Sequence, residues 1–294
     1  MVTKPTLKGG ENILANIQRR LRGAVPLDSN TVIEKAYNAI IGNNFDDLKQ
    51  LKIKNGHMVF LNHGEQLAIA LAIKQKNVEI INYLLKKGAL PVDHDCGPLC
   101  IAVEKPDADI EIVDLILNEL TKDLTNNQKK NFSEEYNLAS YDETRYNEAK
   151  VSNINFGFIK AGLVGRKDIL NLFMNKKVID LTDEDVAVNT LNTLLKIWGE
   201  PQTDRDQRPP GSVVDRDTLY EIIEYILAMF VQSGADLDKI EARIEDIETF
   251  KQMLPKLIET MRVGGARKRR KSSKKQSKKR NLVKSKRRKT NKRK

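Results

Sequence analysis

The densest chemistry in this chain is cationic. Arg267, Lys268, Arg269, Arg270, Lys271, Lys274, Lys275, Lys278, Lys279, Arg280, Lys286, Arg287, Arg288 and Lys289 crowd one terminal stretch that holds no aromatic and no acidic residue. Side chains of this kind neutralise phosphates and release counterions, which predicts sequence-independent, salt-sensitive contact with nucleic acid. Without aromatic residues there is no platform on which single-stranded bases could stack. The clusters RKRRK at 267–271 and KRRK at 286–289 equally fit a nuclear-import signal, and anionic lipid or an acidic protein is a third kind of partner. Ser272, Ser273, Ser277, Ser285 and Thr290 stand among these bases, where phosphorylation would cut the charge.

Other constellations point to chemistry less well. His94, Cys96 and Cys100 follow an H-x-C-x3-C spacing that would need His57 or His63 as a fourth zinc ligand and matches no usual paired spacing. Two Asp-Arg-Asp triplets, at 204–206 and 215–217, lack the glycine and distant glutamate of a calcium loop. AGLVGRK at 161–167 departs from the phosphate-loop pattern, follows no strand and reads as a helix-to-helix turn. With only three His and no nucleophile paired to a base, neither an enzyme nor a bound metal or cofactor is expected.

The charges belong to two different objects. Of 51 Lys and Arg, 18 lie in residues 266–294, which contain none of the 40 Asp and Glu; residues 1–265 therefore carry 33 bases against 40 acids, a net −7 inside a chain of formal charge +11. An acidic body and a cationic arm need not share partners. The arm, with only Ala266, Leu282 and Val283 as apolar residues, cannot bury enough surface to fold and is expected to be disordered. The whole chain is 40% apolar, ample for a sizeable core in the body. Two closely spaced cysteines make no disulfide framework and suit a reducing compartment. Neither a secretory segment nor a run of about 18 apolar residues occurs, so an intracellular protein without a membrane anchor is expected, nuclear or cytoplasmic. Residues 11–22 suggest a short helix with Ile13, Leu14, Ile17 and Leu21 on one side, docked on the body or lying on a membrane surface.

Apolar residues recur at helical spacing almost throughout, which predicts an all-α fold. Four segments share a frame: AIIGNNFDDLKQL from Ala39, AIKQKNVEIINYLL from Ala72, AVEKPDADIEIVDLIL from Ala102 and AGLVGRKDILNLF from Ala161. In each, a small residue closes one helix, a polar or Gly-containing turn follows, and an acidic residue (Asp46, Glu79, Glu111, Asp168) opens a second, apolar helix, where its charge opposes the helix dipole. Ala39 to Ala72 is 33 residues and Ala72 to Ala102 is 30.

These features resemble ankyrin-repeat proteins, whose period is about 33 residues. VEIINYLLKKGA at 78–89 is similar to the family's second helix with its Gly-Ala ending, and GPLCIAV at 97–103 to its Thr-Pro-Leu-His-x-Ala opening; SGADL at 233–237 is a further ending. In that frame Pro98 and Leu99 open a first helix, Ala72, Ala102 and Ala161 let helices approach, and Gly88 and Gly234 form left-handed caps. The family's His is replaced by Ala70 and Cys100 and its Thr by Leu67 and Gly97, which weakens the usual polar bridging between repeats. The resemblance implies a helix-turn-helix solenoid of about five divergent repeats over residues 30–263, with insertions near 121–150 and 199–216, after an N-terminal extension at 1–29 and before the arm at 264–294. It also implies a monomer that binds a protein through a concave repeat face. The Asn- and Lys-rich composition with a Gly-Gly and basic end looks like proteins encoded by large DNA viruses of algae and amoebae, which would place the chain in a host cell or virion. Two functions follow: a protein-binding adaptor localised by its arm, or a structural, virion-associated protein whose arm binds DNA or RNA. The acidic body also offers the arm itself a resting place in the free state.

Overall fold

The computed structural model describes residues 27–51, 53, 68–92, 97–104, 106–200, 214–246, 248 and 250–251. Among them are twelve helices and no strand, so the all-α expectation holds. The helices are α1 Leu27–Ile41, α2 Phe45–Gln50, α3 Ala68–Lys74, α4 Val78–Lys86, α5 Gly97–Val103, α6 Ile110–Thr121, α7 Asn126–Glu135, α8 Glu143–Leu163, α9 Lys167–Lys176, α10 Glu184–Gly199, α11 Arg216–Ser233 and α12 Leu237–Glu241. The N-terminal extension up to residue 26, the triplet at 204–206 and the whole basic arm lie outside the described residues, as do His57, His63, His94 and Cys96.

The span 30–263 divides at Asp180 and Leu181. One unit comprises residues 1–180 and 202–215, the other 181–201 and 216–294. In the first unit four helix pairs follow the alanine frame: α1 with α2, α3 with α4, α5 with α6, and α8 with α9. The first helices pack in chain order, α1 on α3, α3 on α5 and α5 on α8, while α6 also meets α9. Ala39, Ala72, Ala102 and Ala161 are buried at these crossings, where a larger side chain would hold the helices apart. Between them lie Ile33, Ile40, Ile69, Ile80, Leu84, Leu99, Val113, Ile116, Phe158, Ile169 and Phe173, all at most 1% exposed. Phe158 and Phe173 meet edge to face at 5.7 Å, joining α8 to α9.

Three of the four pairs share one turn, hydrogen bond for hydrogen bond. The residue four past the alanine has positive φ: 54° at Asn43, 54° at Lys76 and 73° at Gly165. The next amide donates back to the alanine carbonyl, from Asn44 to Ala39 at 2.8 Å, Asn77 to Ala72 at 3.2 Å and Arg166 to Ala161 at 2.9 Å. This six-to-one bond, with the tighter bond inside it, is the Schellman closure that satisfies orphan carbonyls at a helix end. The same residue then caps the next helix in two cases: Asn44 Oδ1 accepts from Asp47 N at 3.2 Å and Asn77 Oδ1 from Ile80 N at 2.9 Å. In the α5–α6 pair the turn is longer, and Asp109 Oδ1 caps α6 by accepting from Glu111 N at 2.9 Å. Asp46, Glu79, Glu111 and Asp168 occupy first turns as expected; the N-cap residues themselves stand two residues earlier in each.

The first insertion is structured. Helix α7 carries a capping box between Thr125 and Gln128, and its buried amides bond the end of the second pair. Gln128 Nε2 donates to the Ala89 carbonyl at 3.1 Å and Asn131 Nδ2 to the Gly88 carbonyl at 2.8 Å. Around them Phe132 stacks on Tyr136 at 4.2 Å and meets Tyr146 edge to face at 5.4 Å.

In the second unit α10 packs on α11 and on α12. Ala187, Leu191, Leu194, Leu219, Ile222, Ile223, Ile226, Leu227 and Phe230 form its core, each fully buried. Arg216 lies over the Trp198 ring at 3.9 Å, and Lys239 and Arg243 pair with Glu184 and Asp185. Gly234, at φ 117°, closes α11 as its SGADL motif suggests.

Candidate interaction surface

The residues that carry the repeat frame are structural. Ala39, Ala72, Ala102, Ala161, Pro98 and Leu99 are buried, and Gly88, at φ 104°, is the turn that follows α4. What they leave outward is the neighbouring helix face. The position before each alanine, rotated about 100° off the packed side, holds Asn38, Leu71, Ile101 and Lys160; Asn38 is exposed and the other three are half-buried. Lys74 and Glu104 extend that face on α3 and α5. On α8, Phe156 shares the stripe of Lys160, four residues on, and is 48% exposed; Val151, nine residues before Lys160 and so on the opposite side of the helix, is 53% exposed. Where Ile73, Lys74, Ile101, Glu104, Asp107 and Ile112 come together they line a small cleft of about 60 Å³.

At the edge of this face the turns are bonded to one another in chain order. Asn77 Nδ2 donates to Asn43 Oδ1 at 2.6 Å, linking the first turn to the second. Lys76 Nζ donates to the Asp107 carbonyl at 2.9 Å and to its Oδ2 at 2.8 Å, linking the second to the third. Arg166 Nη1 donates to the carbonyls of Pro106 at 2.9 Å and Ala108 at 2.7 Å, linking the third to the fourth. The other guanidinium nitrogens fork onto Asp168 at 2.8 and 2.7 Å. That hydrogen-bonded pairing holds the Asp168 carboxyl below its usual range and raises Arg166. The absence of the usual His and Thr predicts weakened bridging; these side chains of the turns bridge instead. The signal for them is polar residues four and five past the alanine, Asn43 and Lys76 at four and Asn77, Asp107 and Arg166 at five.

Charge is partitioned by unit. The first unit, over 1–180 and 202–215, has 26 bases and 26 acids and is neutral; the second, over 181–201 and 216–265, has 7 bases and 14 acids. All of the body's −7 therefore belongs to the second unit. On α11, Asp217, Glu221 and Glu224 fall within one stripe, the first two exposed and the third half-buried. Glu200, Glu245 and Asp246 line an open cleft of about 330 Å³ with Asn192 and Lys196.

Cys100 is disulfide-bonded and 3% exposed; Cys96, the only other cysteine, is outside the described residues. Cys100 is the small buried residue expected of the first helix, but it is bonded where a free thiol is expected. Among the described residues no three of His, Cys, Asp and Glu converge on a metal position, and no helix is long and apolar enough to cross a membrane. No protein-family model matches the chain, and neither curated proteins nor solved structures give a significant match.

Proposed function

We propose that this chain is a non-enzymatic protein-binding adaptor, built on an ankyrin-like solenoid and carrying a basic arm that contacts nucleic acid without sequence preference. The observation that carries the reading is the recurrence of one turn geometry in three helix pairs, with every adjacent pair of turns bonded in chain order. Such a scaffold fixes the outward face of the first helices, and that face offers Leu71, Ile101 and Phe156 flanked by Lys74, Glu104 and Lys160. An apolar centre with a charged rim is the composition of a protein-binding patch, and aromatic residues such as Phe156 commonly dominate its energetics.

Affinity capture from the native cell, comparing the intact chain with Leu71→Glu, Ile101→Glu and Phe156→Glu, tests it. The partner should be lost with each face variant while the far-UV circular dichroism is kept; a partner retained by all three sinks the reading. The second reading, a structural or virion-associated nucleic-acid protein, is favoured by the segregation of 18 bases into residues 266–294. It requires that deletion of 264–294 abolish function while the face substitutions leave function intact.

A further inference from the structure

We propose that the acidic second unit is the docking surface for the chain's own basic arm, so that the arm is held on α11 and the segment after α12 until nucleic acid displaces it. Three observations converge. The body's whole net charge of −7 lies in this unit, while the repeat unit is neutral despite having more acids in absolute number. Six of its 14 carboxylates fall in two places, the Asp217, Glu221 and Glu224 stripe and the cleft lined by Glu200, Glu245 and Asp246. And the described part of this unit ends at Lys251, whereas the first basic cluster starts at Arg267. The short intervening stretch presents the arm to this surface at an effective concentration in the millimolar range. Lysine and arginine side chains need no fixed geometry to exploit such a surface, but exposed pairs of this kind are screened within about 10 Å at 0.1 M salt, so the docked state belongs to low and physiological ionic strength.

The inference does not rest on the partner of the repeat face, and its first test does not rest on nucleic-acid binding. Zero-length carbodiimide cross-linking of the full chain at 50 mM salt should join arm lysines such as Lys274, Lys279 and Lys286 to Asp217, Glu221, Glu245 and Glu248 several-fold more often than to the exposed acids of the repeat unit. The excess should vanish at 500 mM. Cross-links spread over the two units in proportion to their acids, or unchanged by salt, overturn the proposal.

A second test uses charge-matched variants of the full chain. One carries Asp217→Asn, Glu221→Gln, Glu224→Gln, Glu245→Gln and Glu248→Gln; the other carries Glu79→Gln, Glu104→Gln, Glu111→Gln, Asp123→Asn and Glu148→Gln. If the arm is about nine-tenths docked, releasing it raises apparent affinity about tenfold. The first variant should therefore bind a 20-base-pair mixed-sequence duplex about tenfold more tightly at 50 mM salt, and the second less than threefold. Equal gains would make the effect one of overall charge and overturn docking. A full chain that binds no duplex refutes nucleic-acid contact by the arm and leaves the cross-linking result to decide docking.

Discussion

Gly97 sits at φ 47°, and a Cβ built on it would lie 2.0 Å from Asn153 Oδ1, a side chain with no solvent exposure. Gly88 sits at φ 104° with its virtual Cβ 2.9 Å from Asn131 Nδ2, and Gly234 at φ 117° with open space around it. These three positions separate backbone strain from packing. Replacing Gly234 by Ala should cost about 1 kcal/mol, the strain alone. At Gly88 the cost rises to about 1–2 kcal/mol because the Asn131 bond must shift. At Gly97 it reaches about 2–4 kcal/mol, since a buried amide must move. Urea denaturation of the three variants checks the order, and a Gly97→Ala variant as stable as Gly234→Ala contradicts it. Tyrosine titration offers a second check at this scale. Burial pushes the Tyr37 phenol from 10.0 to about 12 and raises Tyr146 as well. Because the folded value exceeds the unfolded one, the stability involved is fully present below pH 10 and is lost as pH rises towards 12. The urea midpoint should fall across that window, less steeply in Tyr37→Phe; identical slopes in both proteins would exclude Tyr37 as a contributor.

Among the elements, the turns do more than connect. Lys76 holds an L side chain at φ 54°, a conformation that costs about 1–2 kcal/mol, and its ammonium bonds to Asp107 hold it there. Arg166 reaches two carbonyls of the third turn, a fork that lysine cannot reproduce. Arg166→Lys should cost about 1–2 kcal/mol and speed amide exchange at residues 108–112 more than in α1. Uniform exchange across the first unit would show that the bond does not hold the turn. Much of this element-level order was legible in sequence: the alanine frame located the first-to-second-helix turns, and the apolar spacing located the helices. Helix α7 was not, because NNQKKNFSEE has no apolar stripe and is held by a cap and two buried amides. The turn-to-turn bonds were not either, because their partners stand 31 to 60 residues apart, and no local pattern encodes such a distance. The division after Asp180 was equally hidden, since helical apolar spacing runs straight across it.

For the molecule as a whole, charge sorts into three parts: a neutral first unit, an acidic helical unit and a cationic arm. If the arm is the nucleic-acid contact, affinity for duplex DNA should fall roughly 10³-fold or more between 50 and 200 mM salt, and deletion of 264–294 should abolish it. A shallow salt dependence, or binding that survives the deletion, would move nucleic-acid contact onto the folded body. The face of the first helices carries no comparable charge excess, so the protein partner proposed for it should bind with little response to salt.

Between α6 and α8 the backbone makes a detour through α7, yet α8 still packs on α5 and Arg166 still meets the third turn. The bonding of successive turns thus survives an extra helix of chain spent between two pairs. The exposed pair Ala139 and Ser140, in the connection between α7 and α8, is therefore a splice point: a fluorescent or enzymatic module grafted there would ride on the molecule as a side branch and leave the spacing of the turns untouched.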